Sequence, residues 1–512
     1  MQPDRDEPPD PGLAIAAQAR GRDRSYRCLL FATVAFLLAY VPLFPRRVFD
    51  PDEFEHAHAA WCWFKGMVPY KDFFEHHTPW YYVVLRPFFR WFEVDASFES
   101  ARHFLVFGRV LSFGLTVLSI SLVIRIGRLW QGHRGRQSED EVGALAGLLL
   151  VGQTFFLQKA IEMRPDLLAL PFFLAALCCL LRGLATDHQE SATRRLWSFV
   201  GGGLSMGAAV MCTQKMLFVL PGLLAGLGIW ALSARRRART LLVGAFVLGV
   251  LVPGVLTWAA FARQHAGGEF IANNFLLNSR WKHVQTNLLL PFIRSTRPIL
   301  VLSVLGLVGT VRRFFRSPER SSGEIVLACT LLGLCAGVGV IPVAQKQYYL
   351  MPLPLLCLFA AQGLLSLVDW LANHYRAPQV AGARLLALAV VALFVVPVLA
   401  LRDSYRSRND VQLARLRHVF ETTRRTDLVM DGWEGTGVFR PHAFYYYFIH
   451  EELLPMLSAD RVDAYVDELE GGMIRPKMIA LDANLVALEP RFLRFVMNGY
   501  VSGDGVLYYP RD

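Results

Sequence analysis

Long apolar runs, separated by short polar clusters rich in arginine, fill the chain from about residue 28 to residue 401. A bilayer core requires about 20 predominantly apolar residues in one helix. Eleven runs approach that length, near 28–45, 103–124, 141–158, 165–181, 196–212, 215–233, 240–262, 296–313, 325–344, 348–370 and 382–401. The eighth has the shortest apolar core, and 288–292 can lie in the interface before it. The pattern predicts an all-α polytopic membrane protein with about 11 transmembrane helices.

The polar clusters set the expected topology. Arg20, Arg22, Arg24 and Arg27 place residues 1–27, read as a disordered tail, in the cytoplasm. Arg125 and Arg128, Arg194 and Arg195, Arg235 to Arg237, and Arg312 and Arg313 then fall on the same side. An odd number of crossings puts 402–512 outside the inner (plasma) membrane. The transmembrane domain is 28–401 and includes a long outer loop, 46–102. The segment 402–512 reads as a small extracytoplasmic α/β domain, with an amphipathic stretch at 411–422 and strand-like runs at 427–430, 478–481 and 506–509.

Composition agrees. Of 512 residues, 54% are hydrophobic and only 19% charged, and mean hydropathy is +0.34. That excludes a disordered chain, a coiled coil and an ordinary soluble enzyme. The net charge of +11 would suggest nucleic acid in a soluble protein, but here it follows the loops, so no nucleic-acid partner is expected. The eight cysteines show neither zinc-site spacing nor a disulfide framework.

The outer loop carries the densest chemistry: Phe49-Asp50-Pro51-Asp52-Glu53-Phe54-Glu55-His56-Ala57-His58, then Tyr70-Lys71-Asp72-Phe73-Phe74-Glu75-His76-His77-Thr78-Pro79. Asp50 is placed to cap a helix, with Pro51 at its first position and Glu53 closing a capping box. That helix is expected to end near Lys65, before Gly66. Capping employs Asp50 and Glu53 and leaves Asp52 in the first turn, where the helix dipole favours an ionised carboxylate. A general base must be ionised. A histidine zinc site is disfavoured, because His56 and His58 do not share a helix face and adjacent His76 and His77 are expected to diverge. A divalent ion such as Mg or Mn, held by carboxylates and substrate phosphate, is the better metal reading.

Three short outer turns add charge: Lys159-Ala160-Ile161-Glu162-Met163-Arg164-Pro165-Asp166, Thr213-Gln214-Lys215 and Gln345-Lys346-Gln347-Tyr348-Tyr349. Taken singly, such residues are ordinary interfacial anchors. Their common side is what matters. Asp52, Asp72, Glu162, Arg164, Asp166, Lys215 and Lys346 are all expected at one outer mouth of the bundle. Transfer of a sugar from a polyprenyl phosphate suits that mouth. The phosphate leaves as an anion, so no general acid is needed. One carboxylate takes the acceptor's proton, and cations neutralise the leaving group.

The first loop, with Glu162-Met163-Arg164-Pro165-Asp166 and Gln347-Tyr348-Tyr349-Leu350-Met351-Pro352, resembles the GT-C membrane glycosyltransferases. It is most similar to the family 39-like branch of protein O-mannosyltransferases and aminoarabinose transferases. The resemblance implies a GT-C fold and a polyprenyl-phosphate-linked sugar donor. It also implies inversion by single displacement onto a lipid, protein or polysaccharide acceptor. It assigns catalysis to Asp52 or Glu53, with Asp50 also open. The family's second acidic position maps to Asp166 or Glu162. From the loops and turns themselves, donor binding is expected at Asp72, His76, His77, Glu162, Arg164, Asp166, Lys215, Lys346 and Tyr348. A transporter or flippase of lipid-linked substrate is the alternative, but no repeat and no charge at mid-span supports it. A non-catalytic membrane scaffold is the third reading.

Overall fold

The computed structural model describes residues 11–132, 139–184, 191–233, 237–278, 288–316, 322–341, 345–375 and 379–511. Helix α1 (Pro11–Leu38) begins inside the segment expected to be a tail. Its start is rich in alanine, the best helix former. Residues 1–10 lie outside the described residues.

Two helices of the first loop follow, α2 (Pro51–Phe64) and α3 (Trp80–Phe92). The bundle continues with α4 (Phe98–Gly132), α5 (Glu139–Val151), α6 (Thr154–Lys159), α7 (Pro165–Leu184) and α8 (Ala192–Cys212). After it come α9 (Leu220–Ser233), α10 (Arg237–Ala262), α11 (Gly267–Ile271), α12 (Leu289–Arg316), α13 (Ser322–Val340), α14 (Pro352–His374) and α15 (Gln379–Arg406).

Among the described residues, nine helical segments are long and apolar enough to cross a membrane. The count of eleven is therefore not confirmed. The run 141–158 is split: α5 ends at Val151, Gly152 and Gln153 interrupt it, and α6 is a separate short helix. The run 196–212 forms α8, whose glycines and serines dilute its hydropathy. Conversely, the weak eighth run is one continuous helix, α12, with Pro298 inside it.

Helix α7 is the centre of the bundle. Its apolar window is 78% buried, against 11% for the span containing α15. Glycines let neighbouring helices close up. A Cβ on Gly306 of α12 would stand 2.1 Å from the Phe359 carbonyl oxygen, and one on Gly363 of α14 2.0 Å from that of Leu302.

The C-terminal part adds α16 (Asp410–Thr422), α17 (Ala459–Glu470), α18 (Ala483–Val486) and α19 (Pro490–Gly499). Its four-stranded sheet contains β1 (Val429–Asp431), β2 (Met478–Ala480), β3 (Tyr500–Ser502) and β4 (Leu507–Pro510), in the order β1-β2-β4-β3. Strands β1 and β2 are parallel, and β4 is antiparallel to both of its neighbours. The sheet is tied to the first loop. Gln412 brackets Phe49, accepting from its N–H at 2.8 Å and donating to its carbonyl at 2.9 Å. The Phe74 N–H donates to the Tyr445 carbonyl at 2.9 Å.

Gly363→Ala should overpack the α12–α14 contact and cost about 1–3 kcal/mol. Gly339→Ala, whose added Cβ meets nothing within 4 Å, should leave thermal unfolding of the purified protein unchanged.

Candidate active site

Helix α2 starts as its sequence dictates. Asp50 caps it, Pro51 stands at the first position, and the Glu53 carboxylate accepts the Asp50 N–H at 3.0 Å. Glu53 is nevertheless completely occupied. Its two oxygens also accept Arg109 Nη2 at 2.6 Å and Nε at 3.0 Å, and the Met163 N–H at 3.2 Å. Arg109 spends its other N–H groups on the carbonyls of Phe44, Arg47 and Val48. Both side chains have no exposed surface. This pair fastens α4 to the start of α2 and to the chain leading into it.

Asp52 faces the other way, into a network of charges. Arg164 Nη2 donates to Asp52 Oδ2 at 2.5 Å, and Arg164 Nη1 reaches Asp50 at 3.4 Å and Glu162 at 3.2 Å. Lys159 Nζ bridges Asp50 at 2.6 Å and Glu162 at 2.7 Å. Arg47 closes on Glu162 at 2.9 Å. Burial disfavours the charge on Asp52, but Arg164 and Lys159 outweigh it and hold the carboxyl down to about 2. Pro165 opens α7, and Asp166 in its first turn takes Lys215 Nζ at 3.1 Å. Lys215 also lies over the Tyr348 ring, 4.7 Å from its centroid. Residues 52, 164, 166, 215 and 348 thus meet at one end of the bundle.

Lys346, half-buried in the same turn as Tyr348, makes no ion pair among the described residues. Burial and the charge of Lys159 pull its ammonium below the ordinary value. Asp50, Asp52, Glu162 and Asp166 stand against Arg47, Lys159, Arg164, Lys215 and Lys346. Of these cations Lys346 has no carboxylate partner among the described residues, so it can meet an added anion. Asp72 lies apart. It is exposed and its carboxylate accepts the Val68 N–H at 2.7 Å, closing a surface turn.

The histidines do not behave as their spacing suggests. His76 and His77 converge, with ring centroids 3.9 Å apart. The cause is Glu75, whose Oε1 accepts both of their backbone N–H groups at 2.8 Å and curls the chain around itself. Glu55, one turn beyond Asp52 on α2, completes a cluster in which Glu55, Glu75, His76 and His77 each offer an atom within 4.8 Å of the others. The individual separations include 2.9 Å for His77 Nδ1 to Glu75, 3.9 Å for His76 Nδ1 to Glu55 and 4.0 Å for His77 Nδ1 to Glu55. Burial, Asp52 and Glu75 push the Glu55 carboxyl well above its usual range. His58 points elsewhere, to the Val438 carbonyl at 2.8 Å.

The C-terminal part covers this cluster. Tyr447 donates to Glu75 Oε2 at 2.9 Å. The ring of His450 stands 6.2 Å from His76, and burial lowers its pKa to about 4. The sequence alone singled out neither Glu55 and Glu75 as partners of the histidines, nor Tyr447 and His450 beside them, nor Arg109 as the partner of Glu53. Two signals were present: an arginine inside the apolar run 103–124, and the aromatic cluster 444–448.

No family model and no curated protein matches the chain by sequence. Solved structures do. The fold is that of the GT-C membrane glycosyltransferases. The aminoarabinose transferase ArnT from Cupriavidus metallidurans superposes in its apo state with TM-score 0.65 at 15% identity, over 94% of this chain and 97% of that one. The same enzyme bound to undecaprenyl phosphate gives TM-score 0.63 at 16% identity, over 93% and 96%. The oligosaccharyltransferase of Archaeoglobus fulgidus gives TM-score 0.54 at 12% identity, over 94% of this chain and 74% of its own.

Breaking one side of a buried ion pair strands the other charge. Glu53→Gln or Arg109→Met should therefore lower stability by about 3–5 kcal/mol, read as a loss of thermal unfolding temperature in detergent. The double variant should recover part of that loss.

Proposed function

We propose that the protein is an integral membrane glycosyltransferase. It moves a sugar from a polyprenyl-phosphate donor to an acceptor on the extracytoplasmic side of the cell membrane. The observation that carries the reading is the meeting of Asp52 with Arg164, Lys159, Lys215 and Lys346 at one end of an apolar bundle. A carboxylate beside clustered cations is what displacement at a glycosyl phosphate needs. The solved relatives support it, since ArnT was captured with undecaprenyl phosphate and the archaeal AglB with dolichol phosphate.

In the proposed reaction the acceptor oxygen bonds to the anomeric carbon as the carbon–oxygen bond to phosphate breaks. The configuration inverts. The phosphate departs with the bonding electron pair as an anion, and Asp52 takes the acceptor's proton. Lys346 and Lys215 hold the departing phosphate, with Tyr348 beneath Lys215. Arg164 aligns Asp52. Glu53 has no lone pair facing the mouth, so Asp52 rather than Glu53 is the base. Glu162 and Asp166 hold the cations in place, and Asp72 has no part.

The cluster of Glu55, Glu75, His76 and His77 fits a metal ion in its donor set. Two carboxylates and two imidazoles are a zinc-type set, and tetrahedral zinc needs neighbouring ligand atoms about 3.4 Å apart, close to the separations found. When bound there, such an ion would supply positive charge to a sugar hydroxyl or phosphate oxygen. The Tyr447 bond to Glu75 is the kind of outer support that orients a metal ligand. A structure of the Archaeoglobus oligosaccharyltransferase contains zinc and sulfate.

Asp52→Asn should keep donor binding and reduce transfer by about 10²–10⁴-fold, the usual worth of a general base. Because Asp52 in the free protein gains its proton only near pH 2, kcat/KM should not fall through this group as the pH drops across the ordinary carboxylate range. Wild-type transfer rates for Asp52→Asn, measured with labelled polyprenyl-phosphate sugar, would overturn the reading.

Purified protein should carry about one zinc per chain by elemental analysis, and Glu75→Gln with His76→Ala should empty it. Metal content unchanged in that double variant would remove the metal from the account without touching Asp52.

A further inference from the structure

Helix α3 presents an open surface cleft, at the far end of α2 from Asp52. Twelve residues of helix separate Asp52 from Phe64, or about 18 Å. The cleft has a volume of about 510 Å³ and is lined by Phe64, Val83, Arg86, Pro87, Arg90 and Trp91. Its two cations are one helical turn apart and so share a face. Neither makes an ion pair among the described residues; Arg86 only lies over the Trp63 ring, 4.6 Å from its centroid. The apolar wall is open: Trp91 is 73% exposed and Val83 47%. Exposed tryptophan is unfavourable in bulk water, and tryptophan beside arginine is ordinary at a membrane surface.

The fold puts the cleft at that surface. Trp80 at the start of α3 donates to Thr257 near the end of the span α10, at 2.9 Å. Trp63 packs on Phe261 of the same helix, 5.8 Å between centroids. Phe88 packs on Phe107 of α4, 4.6 Å between centroids. The last turns of α10 also expose Val255, Leu256 and Trp258, so the helix that receives the start of α3 is apolar on its outside. A phosphate would sit between Arg86 and Arg90, and the chains attached to it would lie along Trp91 and Val83.

We propose that this cleft binds an anionic lipid of the leaflet bordering the reaction site, with its headgroup phosphate clamped by Arg86 and Arg90. The site is separate from the donor network and does not rest on the reaction proposed above. Charge complementarity commits it to an anionic lipid rather than a zwitterionic one, and the apolar wall to a lipid rather than free phosphate.

The test is native mass spectrometry of the full chain released from detergent with phosphatidylglycerol or phosphatidylcholine. The wild type should retain phosphatidylglycerol in preference. Arg86→Gln with Arg90→Gln should weaken that binding roughly thirtyfold, each arginine near a lipid surface contributing about fivefold. Trp91→Ala should weaken both lipids. Equal retention of the two lipids by the wild type, or unchanged retention in the arginine variant, would overturn the proposal. So would displacement of the lipid by inorganic phosphate at equal concentration. Both arginines lie on an accessible face, and thermal unfolding of the variant verifies that it is folded.

Discussion

Arg164 is where the structure is decided. A guanidinium with almost no exposed surface cannot be tolerated unless its charge is met. It is met by Asp50 and Asp52 from the first loop and by Glu162 from its own turn. That single requirement draws the loop after the first span onto the start of α7. Lys159 ties the same carboxylates again, and Asp166 extends the chain of charges to Lys215. Elements that are distant in sequence are forced to one point because none of these charges can be left alone.

The two acidic neighbours at the start of α2 divide the work by direction. Successive helix positions point about 100° apart. Glu53 therefore turns inward to Arg109, where it holds the fold. Asp52 turns toward Arg164 and keeps part of its side chain exposed. The capping box fixes both directions, since Asp50 cannot cap without setting the first turn. The local rule of helix initiation thus determines which carboxylate is chemically available.

Much of this was legible in the sequence, and the reasons differ by element. The ends of α2 could be read because capping residues, proline and glycine act locally; Lys65 ends it and Gly66 has φ of +98°. The amphipathic stretch 411–422 became α16 for the same reason of periodicity. The convergence of Asp52 with Arg164 followed from counting sides of a membrane, a coarse constraint but a long-range one. Helix number was less legible, because Gly152 and Gln153 interrupt an apolar run without changing its mean hydropathy much. The histidine cluster was hidden altogether. It depends on Glu75 bending residues 75–77 around its carboxylate, and on Glu55 arriving from another element. Strand β3 was missed because three residues carry too little pattern.

On the proposed reading, the same pairing that assembles the site also restrains it. Asp52 bonded to Arg164 is a weak base, as its low pKa reflects, and a weak base draws a proton slowly. An incoming donor phosphate competes for the cations that hold the carboxylate down. Lys346 makes no ion pair among the described residues and gives the phosphate a first foothold. As the phosphate then approaches Arg164 and Lys159, their attraction is shared and Asp52 becomes more basic. Donor binding would thus raise the reactivity of the carboxylate that the acceptor meets. The ordering follows from charge alone: with no phosphate in place Arg164 and Lys159 keep Asp52 a weak base, and the carboxylate gains basicity only once a donor phosphate shares those cations.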